Sequence, residues 1–159
     1  HRLEDTPRQA GGIADAAIMA CLGSADGHAQ TLNALTGPND GDVKIAQVYL
    51  RHRPIADVAE LRAVTRGIAR MRDSPGQVLA LNTLATHRLS DPESLESLTQ
   101  LFPMAESSVV QTAIAGVLIR SDYEAIETAD LLRTLREHRM KNRGGENMVD
   151  VLIRRLQAR

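Results

Sequence analysis

Three stretches of the chain decide the fold: Asp42–Ile55 (DVKIAQVYLRHRPI), Gly76–Leu89 (GQVLALNTLATHRL) and Val109–Asp122 (VVQTAIAGVLIRSD). They align when Ala46, Ala80 and Ala113 are placed in register, which gives offsets of 34 and 33 residues. An aliphatic residue follows four positions after each alanine. Because similarity that returns at a fixed period of about 20 to 50 residues is typical of repeat architectures, the sequence predicts a repeating structural unit.

Apolar residues recur at helical spacing along most of the chain, and no stretch of five or more residues alternates as a half-buried strand would. A stripe of this kind runs from Val58 to Met71. Each aligned segment follows a cluster of helix-breaking residues (GPNDGD, RDSPG or AESS) and an earlier amphipathic segment. The sequence therefore predicts an all-α fold whose repeating unit is helix, turn, helix.

The predicted organisation is one domain over residues 13–159, preceded by a flexible segment over residues 1–12. An N-terminal cap helix is expected at about 13–22, and helix pairs at about 27–55, 56–89, 91–121 and 123–158. The chain has a single cysteine, Cys21, so the fold is expected to depend on burial rather than on disulfides. The apolar stretch around Cys21 predicts that its side chain is buried.

The aligned helix cores VKIAQVYL, QVLALNTL and VQTAIAGVL resemble the HEAT and armadillo-like α-solenoid family, specifically the short bacterial HEAT-like repeats. The resemblance implies a right-handed solenoid of about four antiparallel helix pairs, whose second helices line a concave surface. The units are shorter than the roughly 40 residues of HEAT repeats, and the fourth pair is irregular. An irregular helical bundle therefore remains the alternative.

Composition and missing motifs narrow the function. Aromatic residues make up 2% of the chain and tryptophan is absent, which argues against stacking of bases or flat cofactors. The sequence has no GxxxxGK[ST], GxGxxG, GxSxG or HExxH motif. These absences predict no cofactor and a non-catalytic role, although HEAT-like lyases and glycosylases leave an enzymatic alternative by analogy.

The repeat surface predicts a scaffold or adaptor that binds a protein or peptide. The expected contact residues are exposed positions of the second helices and their ends: Lys44, Gln47, Arg51, Arg53, Asn82, Thr83, Thr86, Arg88, Gln111 and Arg120. At the joints between units, an arginine precedes an aspartate (Asp57, Asp91 or Asp122). Helix capping explains that pattern, and a ridge of joint arginines that binds an acidic partner is the alternative.

The carboxyl-terminal end offers a second hypothesis. Residues 132–159 contain eight Lys and Arg against three acidic residues, although the whole chain has a net charge of −1 and a pI near 6.6. Nucleic-acid binding would use phosphate contacts from this end, and the overall pI and missing aromatics argue against it. The candidate phosphate-binding residues are Arg133, Arg136, Arg139, Lys141, Arg143, Arg154 and Arg155.

Three His-Arg pairs begin at His52, His87 and His138 and raise the question of a metal site. Histidines one repeat apart should lie roughly 10 Å from each other, too far to share an ion, so no metal site is expected. The cluster Asn39–Asp42 is interpreted as a turn and helix cap. No run of about 18 apolar residues occurs, so the sequence predicts a soluble chain that does not contact a membrane. It does not indicate the cellular compartment.

Overall fold

The structure is a computed structural model that describes residues 5–142 and 144–159. Within these ranges the chain forms α-helices and two short 3-10 helices, and no β-strand, which confirms the predicted all-α class. The α-helices are α1 (Asp5–Cys21), α2 (Ala25–Ala34), α3 (Asp40–His52), α4 (Val58–Arg70), α5 (Pro75–Ala85), α6 (Pro92–Leu101), α7 (Ser108–Ile119), α8 (Thr128–His138) and α9 (Met148–Gln157). The 3-10 helices are Phe102–Met104 and Tyr123–Ala125.

The first helix is longer than the sequence predicts. Helix α1 begins at Asp5 rather than at about residue 13, so residues 5–12, which were expected to be flexible, are helical. Pro7 lies in the first turn of α1, where backbone N–H groups have no partner within the helix, so a proline there costs no helical hydrogen bond. Residues 1–4 lie outside the described residues.

Short polar side chains cap most of the helices. Asp57 accepts a hydrogen bond from the backbone N–H of Ala59 (3.3 Å), and Asp91 accepts one from the backbone N–H of Ser94 (3.0 Å). Asp122 caps the second 3-10 helix in the same way. The other side-chain caps are Ser24, Asn39, Ser74, Ser107 and Asn147. The capping roles predicted for the three joint aspartates and for the Asn39 turn are therefore confirmed.

Most helices pack against the helix two places further along the chain. Consecutive odd-numbered helices, from α1 to α9, contact one another, as do α4 and α6. Helices α5 and α7 are also joined by hydrogen bonds near their amino ends and beyond their carboxyl ends. Ser107 donates a hydrogen bond to Asp73 (2.9 Å) where the two helices begin, and the Asp122 amide donates to the Leu89 carbonyl (2.9 Å) beyond their ends. Helices α5 and α7 therefore run parallel to each other.

The aligned positions share one environment. Ala46, Ala80 and Ala113 are all buried, as are the three aliphatic residues that follow them at Leu50, Leu84 and Val117. Each alanine lies near the middle of α3, α5 or α7, and a small side chain at that position leaves room for a packed neighbour. The repeated spacing in the sequence thus corresponds to repeated burial.

Candidate functional site

An apolar groove lies between α1 and α3. It has a volume of about 600 Å³, within the range of typical ligand-binding clefts. Its lining residues, which define the α1–α3 groove, are Ala14, Ala17, Ile18, Cys21, Leu22, Lys44, Ile45, Val48, Tyr49 and His52. Large apolar side chains are unusually open here: Ile18 is 59% exposed, Leu22 is 76% exposed and Val48 is 50% exposed. Contiguous apolar side chains with this much exposure are uncommon on the surface of a monomeric protein.

The sequence of α1 explains why these side chains reach solvent. Ala16 and Ala20, one turn apart, are buried. Gly27 on α2 allows the two helices to approach, because a Cβ atom at Gly27 would lie 2.5 Å from the carbonyl oxygen of Ala16. Ile18 and Leu22 are displaced from the buried alanines by two residues, so they project from a different face of the helix. Helix α1 is therefore apolar on a face that has no partner among the described residues.

The carboxyl ends of α1 and α3 lie beside each other at one end of the groove. The guanidinium of Arg53, just after α3, donates a hydrogen bond to the carbonyl of Cys21 at the end of α1 (3.2 Å). The predicted favourable contact between a joint arginine and a helix carboxyl end thus occurs with the neighbouring helix. At the next joint, the Ile55 amide donates to Nε2 of His87 (3.0 Å). Successive joints therefore lie next to one another.

One wall of the groove is held by a polar cluster. Tyr49 lines the groove, and its hydroxyl oxygen lies 2.7 Å from Nδ1 of His28 on α2. The Nε2 atom of His28 lies 3.0 Å from a carboxylate oxygen of Glu60 on α4. Burial raises the pKa of the Tyr49 hydroxyl, and the Arg53 guanidinium opposes that rise. The cluster joins α2, α3 and α4 and fixes the orientation of the Tyr49 ring.

The polar part of the groove contains one cationic side chain, that of Lys44. Among the described residues that line it, the ionisable groups are Lys44, His52, Cys21 and Tyr49, and none is a carboxylate. Arg51 and Arg53 are exposed near the His52 end. A second depression of about 600 Å³ begins at Lys44 and extends over α5 to Val109 on α7, with Asp73 among its lining residues. The exposed surface of the odd-numbered helices is thus continuous across α1, α3, α5 and α7.

Most of the predicted contact residues are exposed, whereas Gln47 is not fully exposed and two others are buried. Seven of them are exposed: Lys44, Arg51, Arg53, Asn82, Thr86, Arg88 and Arg120. Gln47 is half-buried, and its side-chain amide donates to the Leu79 carbonyl (3.3 Å). Arg88 adopts a positive φ of 49° at the joint after α5.

Two predicted contact residues are not at the surface. Gln111 is 1% exposed, because its amide donates to the His138 carbonyl (2.7 Å) and its carbonyl accepts from the Met140 amide (2.9 Å). Thr83 is buried, and its hydroxyl donates to the Leu79 carbonyl (2.8 Å). The prediction that these two side chains are exposed is wrong, since both satisfy backbone groups inside the fold.

Cys21 is exposed, which corrects the prediction that it is buried. It lies on the same face of α1 as Ala14, Ala17 and Ile18, three or four residues apart, and this face borders the groove. The apolar residues around Cys21 cover more than one face of the helix, so not all of them can be buried against one neighbour. This distribution over several faces is the sequence feature that indicates surface positions for Ile18 and Leu22.

The three histidines of the His-Arg pairs have different environments. His52 lines the α1–α3 groove, whereas Nδ1–H of His87 donates to the Thr83 carbonyl (3.0 Å) while its Nε2 accepts from the Ile55 amide. His138 is exposed at the end of α8. Among the described side chains, no three His, Cys, Asp or Glu residues come together in a group that could hold a metal ion.

The basic carboxyl-terminal residues are partly paired with carboxylates. Arg133 pairs with Asp130 (2.5 Å), and Arg154 pairs with Glu146. The candidate Arg143 lies outside the described residues. Arg136, Lys141 and Arg155 are exposed.

Arg139 belongs to a well-formed ion pair rather than to an open cationic surface. Its guanidinium donates two hydrogen bonds to Asp150 (2.5 and 3.0 Å), and hydrogen bonding from Arg139 lowers the pKa of that carboxyl. Asp150 also completes a capping box with Asn147 at the start of α9. Arg139 therefore joins the end of α8 to the start of α9.

Comparison with known proteins provides no further identification: no protein-family model matches the chain, and no curated protein or solved structure gives a significant match. In the part of the chain that the structure describes, every helix is too short or too polar to cross a bilayer.

Proposed function

We propose that this chain is a non-catalytic protein-interaction module, a HEAT-like α-solenoid that binds a protein or peptide on its odd-numbered helices. The observation that carries the proposal is the α1–α3 groove, in which Ile18, Leu22 and Val48 are each at least half exposed. Apolar side chains this open are costly in water, and a binding partner removes them from it.

The support for a solenoid is a recurring sequence separation between contacting residues. The polar contacts His28–Glu60, Gln47–Leu79 and Ile55–His87 each join residues 32 positions apart. The contact between Asp73 and Ser107 joins residues 34 apart. Contacts that return at this separation are expected when successive helix pairs stack on their neighbours.

The alternative of phosphate binding through the carboxyl-terminal end has weaker support. Carboxylates pair with Arg133, Arg139 and Arg154, which reduces the positive charge available to phosphates. An enzymatic role has no specific observation in its favour. Protein binding is the function that the described surface supports best.

Selection from a displayed library of random peptides tests the proposal. Two exposed valines provide matched variants: Val48, 50% exposed in the groove, and Val58, 47% exposed at the start of α4. We expect enriched peptides whose affinity falls about tenfold or more with Val48→Glu, since a carboxylate would be desolvated against the peptide. Val58→Glu should leave their affinity unchanged.

Circular dichroism would first establish that both variants fold like the wild type. Failure to enrich any peptide would overturn the proposal. So would enriched peptides that bind the wild type and Val48→Glu equally, or that lose affinity equally with both variants.

A further inference from the structure

We infer that the α1–α3 groove binds an amphipathic α-helix of acidic character, with one apolar stripe in the groove and carboxylates beside it. This inference rests on the proposed function and names the chemistry of the partner. It depends on the shape of the groove, on the rigidity of its wall and on its charge.

The shape of the groove fits a helix. One wall is the end of α1 with Leu22 directly after it, and the other is α3; the lining positions follow helical spacing from Ala14 to Leu22 and from Lys44 to His52. Eight residues separate the ends of each wall, so the groove is about 12 Å long at roughly 1.5 Å rise per residue, or about two helical turns. A partner helix would place apolar side chains at i, i+3 or i+4, and i+7 in it.

The depth of the groove comes from small side chains on one wall. Ala14, Ala17 and Cys21 place small side chains along the α1 wall beside the larger Ile18 and Leu22, and Ile45 and Val48 line the facing wall. Tyr49 borders the same space with its hydroxyl held by His28 and Glu60. A groove whose wall is already fixed costs less conformational entropy when it binds a partner.

The charge of the groove selects for an acidic helix. Lys44 lies in the first turns of α3 and His52 at its end, so a cationic or basic group is present toward each end of the groove. Arg51 and Arg53 add charge at the second end. Asp40 and Asp42 precede Lys44 on α3 and Asp15 follows Ala14 on α1, but none of these carboxylates lines the groove, and Asp73 lines the second depression. An acidic flank would pair with these cations, while a basic flank would be repelled.

The single cysteine of the chain allows a direct test, because Cys21 is exposed and lines the groove. The probes are synthetic helical peptides of about 18 residues, long enough for marginal helicity in water. One peptide carries a leucine stripe and glutamates, the second replaces the glutamates by lysines, and the third has the composition of the first with the stripe scrambled. The rate of alkylation of Cys21 by a maleimide is measured with each peptide.

The acidic amphipathic peptide should protect Cys21. At a concentration of about ten times its Kd, it should slow alkylation about tenfold, because only the free protein reacts. The lysine peptide and the scrambled peptide should protect much less at the same concentration. Protection should weaken with added salt, since part of the attraction is between exposed charges.

A matched pair of charge reversals tests the electrostatic part. Lys44 and Lys141 are the two lysines of the chain and both are exposed, but only Lys44 lines the groove. Lys44→Glu should weaken binding of the acidic peptide about three- to tenfold and improve binding of the lysine peptide, whereas Lys141→Glu should change neither.

The outcomes separate this inference from the proposed function. Equal protection by the acidic and lysine peptides, equal protection by the scrambled peptide, or no effect of Lys44→Glu would overturn the acidic helix as partner. Each of these could occur while library peptides still depend on Val48, in which case protein binding stands. Absence of Cys21 protection together with absence of any library binder would overturn both.

Discussion

Arg62 on α4 and Asp91 before α6 form a two-point ion pair, with N–O distances of 3.0 and 2.8 Å. The Asp91 side chain is only 8% exposed and also accepts hydrogen bonds from the amide and hydroxyl of Ser94. One carboxylate therefore begins a helix and joins it to the preceding even-numbered helix. Hydrogen bonding from Arg62 holds the pKa of Asp91 well below its usual range.

Replacing Asp91 by Asn should destabilise the fold. The amide keeps an oxygen for the cap but removes the charge that faces Arg62, and we expect a loss of about 1 to 2 kcal/mol in the free energy of unfolding. Water screens part of the effect because the Arg62 side chain is 39% exposed. Asp57→Asn, at an exposed cap, is the matched control and should change stability by less than about 0.5 kcal/mol. Urea unfolding measures both, and equal effects would contradict the importance of the ion pair.

Acid should weaken the fold through Asp91 and Asp150. Both carboxyls have a lowered pKa in the folded protein, Asp91 through Arg62 and Asp150 through Arg139. Such a group contributes stability at every pH above its unfolded-state pKa, near 3.9, and loses that contribution as the pH falls toward its folded-state pKa. The free energy of unfolding should therefore decline below about pH 4.

The double variant Asp91→Asn, Asp150→Asn should be less stable at neutral pH and should decline less steeply in acid. Urea unfolding at a series of pH values measures both properties. Parallel pH profiles for the wild type and the double variant would show that other carboxyl groups account for the acid sensitivity.

Gln111 should stabilise the segment that follows α8, because its side chain binds the backbone of His138 and Met140. Gln111→Leu would leave the His138 carbonyl and the Met140 amide without their side-chain partner, and we expect a loss of about 2 to 4 kcal/mol. Gln100→Leu, on an exposed part of α6, serves as the control and should stay within about 0.5 kcal/mol of wild type. Hydrogen exchange at the Met140 amide should accelerate in the Gln111 variant. Unchanged exchange would show that this hydrogen bond gives no protection.

Substitution by alanine should have opposite effects on the stability of the fold at Gly27 and at Gly116. A methyl group at Gly27 would lie 2.5 Å from the Ala16 carbonyl oxygen and 2.9 Å from the Ala20 amide nitrogen, so Gly27→Ala must separate α1 from α2. We expect a loss of about 2 kcal/mol, within the usual cost of overpacking. Gly116 is inside α7 with nothing within 4 Å of the added methyl, so Gly116→Ala should stabilise by about 0.5 to 1 kcal/mol. Thermal unfolding of both variants is the measurement, and a shift of the same sign in both would contradict it.

Periodicity made the buried layers predictable. Ala46, Ala80 and Ala113 are buried at the aligned positions, and Asp57 and Asp91 cap helices where a short acidic side chain follows a break. Both features depend on residues close in sequence, because helical spacing and capping are local. They could therefore be inferred without knowing which helices meet.

Side chains whose partners lie on another helix were not predictable in this way. Gln111 has the polar character of a surface residue, yet it is buried because the end of α8 presents two backbone groups to it. Cys21 has apolar neighbours in sequence, yet it is exposed because α2 covers a different face of α1. In each case the deciding contact comes from a distant part of the chain.

The sequence by itself determined the helical class, the burial of the aligned alanines and the residues that begin most helices, because these follow from spacing and capping within a few residues. The tertiary structure alone decided which apolar face of α1 stayed open beside α3, and so created the groove. An apolar face is buried only where a neighbouring helix covers it. Which helices lie next to each other is set by contacts between distant parts of the chain, so local spacing does not determine it.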